Sequence, residues 1–144
     1  MSRLFLIGLA LLLAGCLSTV TPTDTSGRIQ LFSGGAFHGS TEWLLYPDDV
    51  LEVTTKKPFA EKGRTAGEHL APGAFDAALA YIRANPVNQA PPAQGRPVCE
   101  DYGSDIVGYS VPGEAVSYGD ICPNARIQTL YKGVRTIIER YRGT

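Results

Sequence analysis

Near the end of the chain Ile127, Leu130, Tyr131, Val134, Ile137, Ile138 and Tyr141 recur at spacings of three and four. At about 100° per residue they fall within roughly 120° of one helical face. A helix with one broad apolar stripe must bury it against a second layer of structure. The pattern predicts a helix opened by Pro123 and running to Arg142, the main lid of a core. Gly133 stands in its middle, where glycine costs about 1 kcal/mol against alanine, and the sequence offers no reason for it. The opposite face carries Lys132, Arg135 and Arg142.

A second helix is predicted from Pro72 to Asn85. Phe75, Leu79 and Ile82 stand at i, i+4 and i+7, among alanines of high helix propensity. Proline suits a first helical position, and Pro86 biases Asn85 out of the helical region. Elsewhere the period shortens. "RIQLFSGG", from Arg28, reads as a strand ending at a glycine turn. Two β-prone runs then flank Pro47-Asp48-Asp49, a turn in which proline presets its φ and aspartate bonds the local backbone. "KKPFAEKGRTAG", residues 56–67, reads as a loop or a ragged hairpin. "PVNQAPPAQGRP", residues 86–97, reads as a surface loop. "VCEDYG" follows as a strand, and Asp105 to Val111 with Ala115 to Tyr118 flank Pro112-Gly113-Glu114 as a hairpin. The expected fold is α+β, an antiparallel sheet of about five to six strands with two helices packed on one face.

The other end of the chain constrains location. Arg3 is followed by the apolar run Leu4 to Leu13, then by Ala14, Gly15 and Cys16. The run is shorter than the roughly 20 residues needed to cross a bilayer. A positive start, a short apolar stretch and small residues at its end describe a secretory signal peptide, residues 1–15. Leu13-Ala14-Gly15-Cys16 resembles the lipobox of bacterial lipoproteins. The resemblance implies that the Cys16 thiol receives a diacylglyceryl group, that the chain is cut just before it, and that the new amino terminus is acylated too, with palmitate-like chains. Small residues suit the access a membrane-embedded peptidase needs. Two or more lipid chains make a stable anchor. Leu17 stands where this family places an aspartate for inner-membrane retention, so the resemblance implies the outer membrane, facing the periplasm. Residues 16–27, polar and rich in Ser, Thr, Pro and Gly, read as a flexible tether that lets the domain stand off the bilayer. Residues 28–144 form one domain.

Charge and cysteine usage narrow the partners. The chain carries a formal charge of −1, and losing Arg3 makes it one unit more negative. A nearly neutral body gives no electrostatic case for nucleic acid, which asks for a basic surface. The expected partners are the membrane, through Cys16, and another envelope protein. With Cys16 lipidated, Cys99 and Cys122 remain, and in an oxidising compartment such a pair most simply forms one disulfide. Free thiols or a metal pair are the alternatives, but zinc asks for four ligands, and His38 and His69 lack metal-like spacing.

No motif assigns chemistry. Glu100, Asp101, Asp105 and Asp120 are loosely clustered, but they do not follow a calcium-loop pattern and suit turns that cap backbone groups. The basic residues of the last helix could rest on anionic headgroups; a solvated face explains them more simply. There is no G-x-S-x-G elbow. "SGGAFHGS" holds Ser33, His38 and Ser40 among glycines without an indicated acid, so turn chemistry accounts for it better than a triad. The chain is read as non-enzymatic, with no catalytic residue, cofactor or metal site.

The same stretch, "IQLFSGGAFHG", is similar to the first strand and glycine turn of emfourin-like inhibitors of bacterial metalloproteases, which read closer to S-G-G-F-x-G. That resemblance implies a turn that blocks a protease cleft. A membrane-tethered protease inhibitor is therefore the alternative to a structural or binding lipoprotein.

Overall fold

The computed structural model describes residues 20–35, 37–88, 103–120 and 122–143. The elements are β1 (Arg28–Gly35), β2 (Gly39–Leu45), β3 (Val50–Lys56), β4 (Arg64–His69), α1 (Ala74–Ala84), β5 (Ser104–Val111), β6 (Glu114–Gly119) and α2 (Ala125–Tyr141). The six strands form one antiparallel sheet in the order β4-β3-β2-β1-β5-β6. This is the α+β fold expected from the sequence. The segment read as a loop or ragged hairpin supplies edge strand β4. The strand expected from "VCEDYG" falls largely outside the described residues.

Register explains which side chains are buried. Ile29 lies opposite Leu45 and Tyr109, Leu31 opposite Trp43 and Val107, and Leu45 opposite Leu51. Cross-strand partners share a face, so these residues form one apolar surface. Phe75, Ala78, Leu79 and Ile82 of α1, with Ile127, Leu130, Tyr131, Val134 and Ile138 of α2, complete the same cluster. Both helices therefore cover one face. The stripe read from the sequence is the buried side of α2, which starts two residues after Pro123. Asn124 is its cap, accepting bonds from the N–H groups of Arg126 and Ile127.

The helices run antiparallel. Tyr81 of α1 lies against Gly133 of α2, and any Cβ at residue 133 would collide with the tyrosine ring. The glycine is there for space. Its propensity cost of about 1 kcal/mol is set against overpacking, which typically costs about 1–3 kcal/mol.

The Pro47-Asp48-Asp49 corner joins three parts of the molecule. Gly73, before α1, has no capping side chain. Asp49 does that work from across the fold: its carboxylate accepts from Gly73 N at 2.8 Å and from Phe75 N at 2.8 Å. It does so at φ 58, a conformation that aspartate tolerates better than most residues. Its carbonyl also accepts from Leu70 N at 2.9 Å.

Asp48 holds the amino-terminal segment. Its Oδ2 accepts from Thr23 N at 2.6 Å, from the Thr23 hydroxyl at 2.9 Å and from Asp24 N at 3.2 Å. Burial pushes this carboxyl up, yet the bonds from Thr23 and Asp24 hold it below its ordinary value. Upstream, the Val20 backbone sits directly over Gly67, leaving no room there for a side chain. By register Gly67 faces away from the helices, opposite Glu52. Residues 20–26 are thus a strap across the far face of the sheet, where the sequence suggested free coil as far as Gly27. The physical reason is the three-donor grip of Asp48, a long-range contact invisible in local composition.

Two outcomes follow. Asp49→Ala loses both cap bonds and strains the backbone, and should lower stability by about 2 kcal/mol in urea unfolding, while Asp49→Asn should lose less than half of that. The strap should also be sensitive to acid. The folded carboxyl of Asp48 titrates lower than the unfolded one, so its contribution is complete above the ordinary value of 3.8 and disappears as pH falls through the folded value. Amide exchange at Thr23 and Asp24 should accelerate in that acid window, ahead of amides in β1.

Candidate functional site

The end of the sheet opposite the Asp48 corner gathers the β1–β2 turn, the β3–β4 loop and the start of β5. Gly39 opens β2 at φ 74, and a Cβ there would strike the Lys56 carbonyl. Only glycine lets the first turn press against the last residue of β3. This approach sets the two connections side by side. Phe37 from the first meets Phe59 from the second, edge to face, with ring centroids 5.3 Å apart and planes at 88°.

The pair is open to solvent. Phe37 is 55% exposed and Phe59 73% exposed. Phe59 also holds φ 58, which costs a bulky residue of order 1–2 kcal/mol. An aromatic side chain that is strained and largely unburied is poorly explained by folding, which makes the pair a candidate contact point. Cations flank Phe59 along the chain. Lys57, Lys62 and Arg64 are exposed and Lys56 is half-buried. Among the described residues none of the four forms an ion pair, and Glu61 is the one acidic residue in the loop.

Beside the pair, a hollow of about 330 Å³ is lined by Ser33, His38, Asp105 and Gln128. The structure thus brings an acid, Asp105, to the serine and histidine noted in the sequence; Ser33 and Asp105 are direct cross-strand partners. Among the described residues, however, no hydrogen bond links His38 to either of them. A nucleophile and its base need that link, so the hollow gives a hydrolase no support. Nor is any group of three His, Cys, Asp or Glu placed to hold a metal among the described residues.

Cys16, Cys99, Glu100 and Asp101 lie outside the described residues, so the lipidation and disulfide expectations are not addressed there. Asp120 accepts from Cys122 N at 3.3 Å and from Asn124 Nδ2 at 3.2 Å, bracing the cap of α2. The basic face of α2 is partly committed within the protein. Arg142 donates to Glu68 at 2.9 Å and to Glu139 at 3.0 Å, and its guanidinium stacks 5.1 Å from the Trp43 ring centre. Arg135 stacks on the same indole at 5.2 Å. Burial alone would ease the proton off Arg142; the glutamates hold it on more strongly than usual.

The Phe37–Phe59 pair is the feature sequence reading missed. Its signal was a phenylalanine in each of two turn-rich stretches, and only the sheet register shows that they meet. Because Phe59 is strained and exposed, Phe59→Gly should leave the unfolding midpoint unchanged or raise it by up to about 1 kcal/mol equivalent. A clear loss of stability would show that the ring serves the fold.

The two local resemblances drawn from the sequence rest on residues 1–16 and 29–39. Compared with known proteins, the chain matches no protein-family model and no curated protein.

Proposed function

We propose that this chain is a lipid-anchored protein of the bacterial cell envelope whose folded domain faces the periplasm, moored by acyl chains on Cys16, and that the domain acts as a structural or binding module. The observation carrying this reading is the ordered sequence of Arg3, the apolar run Leu4–Leu13 and the small residues Ala14 and Gly15 before Cys16. A short apolar segment of this kind suits a cleaved signal better than a span. The lipid then replaces the signal as the attachment. Leu17 favours the outer membrane. The domain contributes the surface described above, an aromatic pair beside a lysine-bearing loop, as a place for contact.

The Cys99–Cys122 disulfide belongs to the same proposal. It would tie the segment before β5 to the start of α2 and, closing a loop of roughly 24 residues, would add about 3 kcal/mol.

A second reading, a tethered protease inhibitor, is favoured by one observation: Phe37 projects from the glycine turn that carries the resemblance to emfourin-like inhibitors. It differs in its test. Inhibition of a bacterial metalloprotease by the purified protein, abolished by Phe37→Ser, would select it.

Mass spectrometry of the mature amino terminus should find the chain beginning at Cys16 and carrying acyl mass, and a non-reduced digest should contain a Cys99–Cys122 crosslinked peptide. Cys16→Ser should block processing and release from the signal. A mature terminus elsewhere, without acyl mass, would refute the anchor.

A further inference from the structure

We infer that the domain lies directly on the bilayer, with the Phe37–Phe59 pair and the cations flanking Phe59 as its membrane-contact surface. This rests on the Cys16 anchor just proposed and concerns how the anchored domain is held.

The first support is length. Val20 is fixed over Gly67, so only residues 17–19 separate the anchoring cysteine from docked chain. At no more than about 3.6 Å per residue, Cys16 lies within roughly 14 Å of Val20. A free coil of residues 16–27 would have allowed the domain to drift well clear of the headgroups; a strap pinned from Val20 does not. Some surface near Gly67 must meet the membrane.

The second support is charge, which decides between the two ends of β4. Toward His69 the strand leads to the corner bearing Asp24, Asp48 and Asp49, three carboxylates that outweigh the nearby Arg28 at the start of β1, an end that an anionic surface disfavours. Toward Arg64 it leads to the loop bearing Lys56, Lys57 and Lys62 with exposed Phe59. Gly67 stands three residues from Arg64, about 10 Å along the strand, within reach of the anchor. Basic residues near an anionic leaflet attract it, and phenylalanine is among the side chains that enter the boundary between headgroups and acyl chains. The third support is the strained exposure of Phe59, which insertion into lipid would put to use.

The test uses the mature, lipid-bearing protein in vesicles of phosphatidylcholine doped with phosphatidylglycerol, and in detergent micelles as control. Vesicle flotation reads the anchor. The rate of tryptic cleavage after Lys62 reads the surface. Flotation together with roughly tenfold slower cleavage on vesicles than in micelles is the expected result. Protection should be lost in Phe37→Ser/Phe59→Ser and in Lys57→Glu/Arg64→Glu, both of which should still float. Flotation with unchanged cleavage after Lys62 overturns the inference and leaves the anchor standing. Failure of the wild-type protein to float removes the anchor and the inference with it. Protection that appears only on adding another envelope protein assigns the surface to a protein partner and also overturns the inference.

Discussion

Three hydrogen bonds to one oxygen of Asp48, and two from the start of α1 to the carboxylate of the next residue, hold the molecule together at a single corner. Sheet pairing alone would leave the first helix uncapped and residues 20–26 free. The corner is possible because Pro47 turns the chain and Asp49 accepts a left-handed φ. One two-residue acidic turn thereby sets where α1 begins, and it holds the amino-terminal segment against the far face of the sheet. The distance from membrane to domain, if Cys16 is the anchor, is then a property of that turn.

Much of this was legible in the chain. The α2 stripe needed only its own period, because its residues all pack into one core shared by the sheet and α1. Strands β1 to β3 and the β5–β6 hairpin showed themselves through alternation and turn residues. Strand β4 did not. "RTAGEH" has little apolar side chain to alternate, since it is an edge strand whose helix-facing residues include Ala66 and Glu68, the latter balanced by Arg142. Gly133 was unreadable for a related reason: the Tyr81 ring that needs the space comes from a different helix.

The candidate surface divides along the same line. The glycine turn containing His38 drew notice in the sequence because its residue types are unusual together. Phe59 did not, since a single phenylalanine in a charged loop is unremarkable by itself. What makes it informative is the conjunction of positive φ, exposure and an aromatic neighbour from another turn, and all three depend on the folded geometry. Conversely, the serine, histidine and aspartate do come together, but among the described residues no hydrogen bond links the histidine to the other two.

The strap also has a mechanical reading. It crosses the far face of the sheet, catches on Asp48 and enters β1, which is paired on both sides with β2 and β5. A pull transmitted through the amino terminus would reach the Val20–Gly67 contact and then the Asp48 bonds before it reached β1. Beyond them it would load a central strand in shear along its ladders instead of peeling a border strand one rung at a time. The corner behaves as a cleat, placing tension applied at the amino terminus where many bonds must fail together.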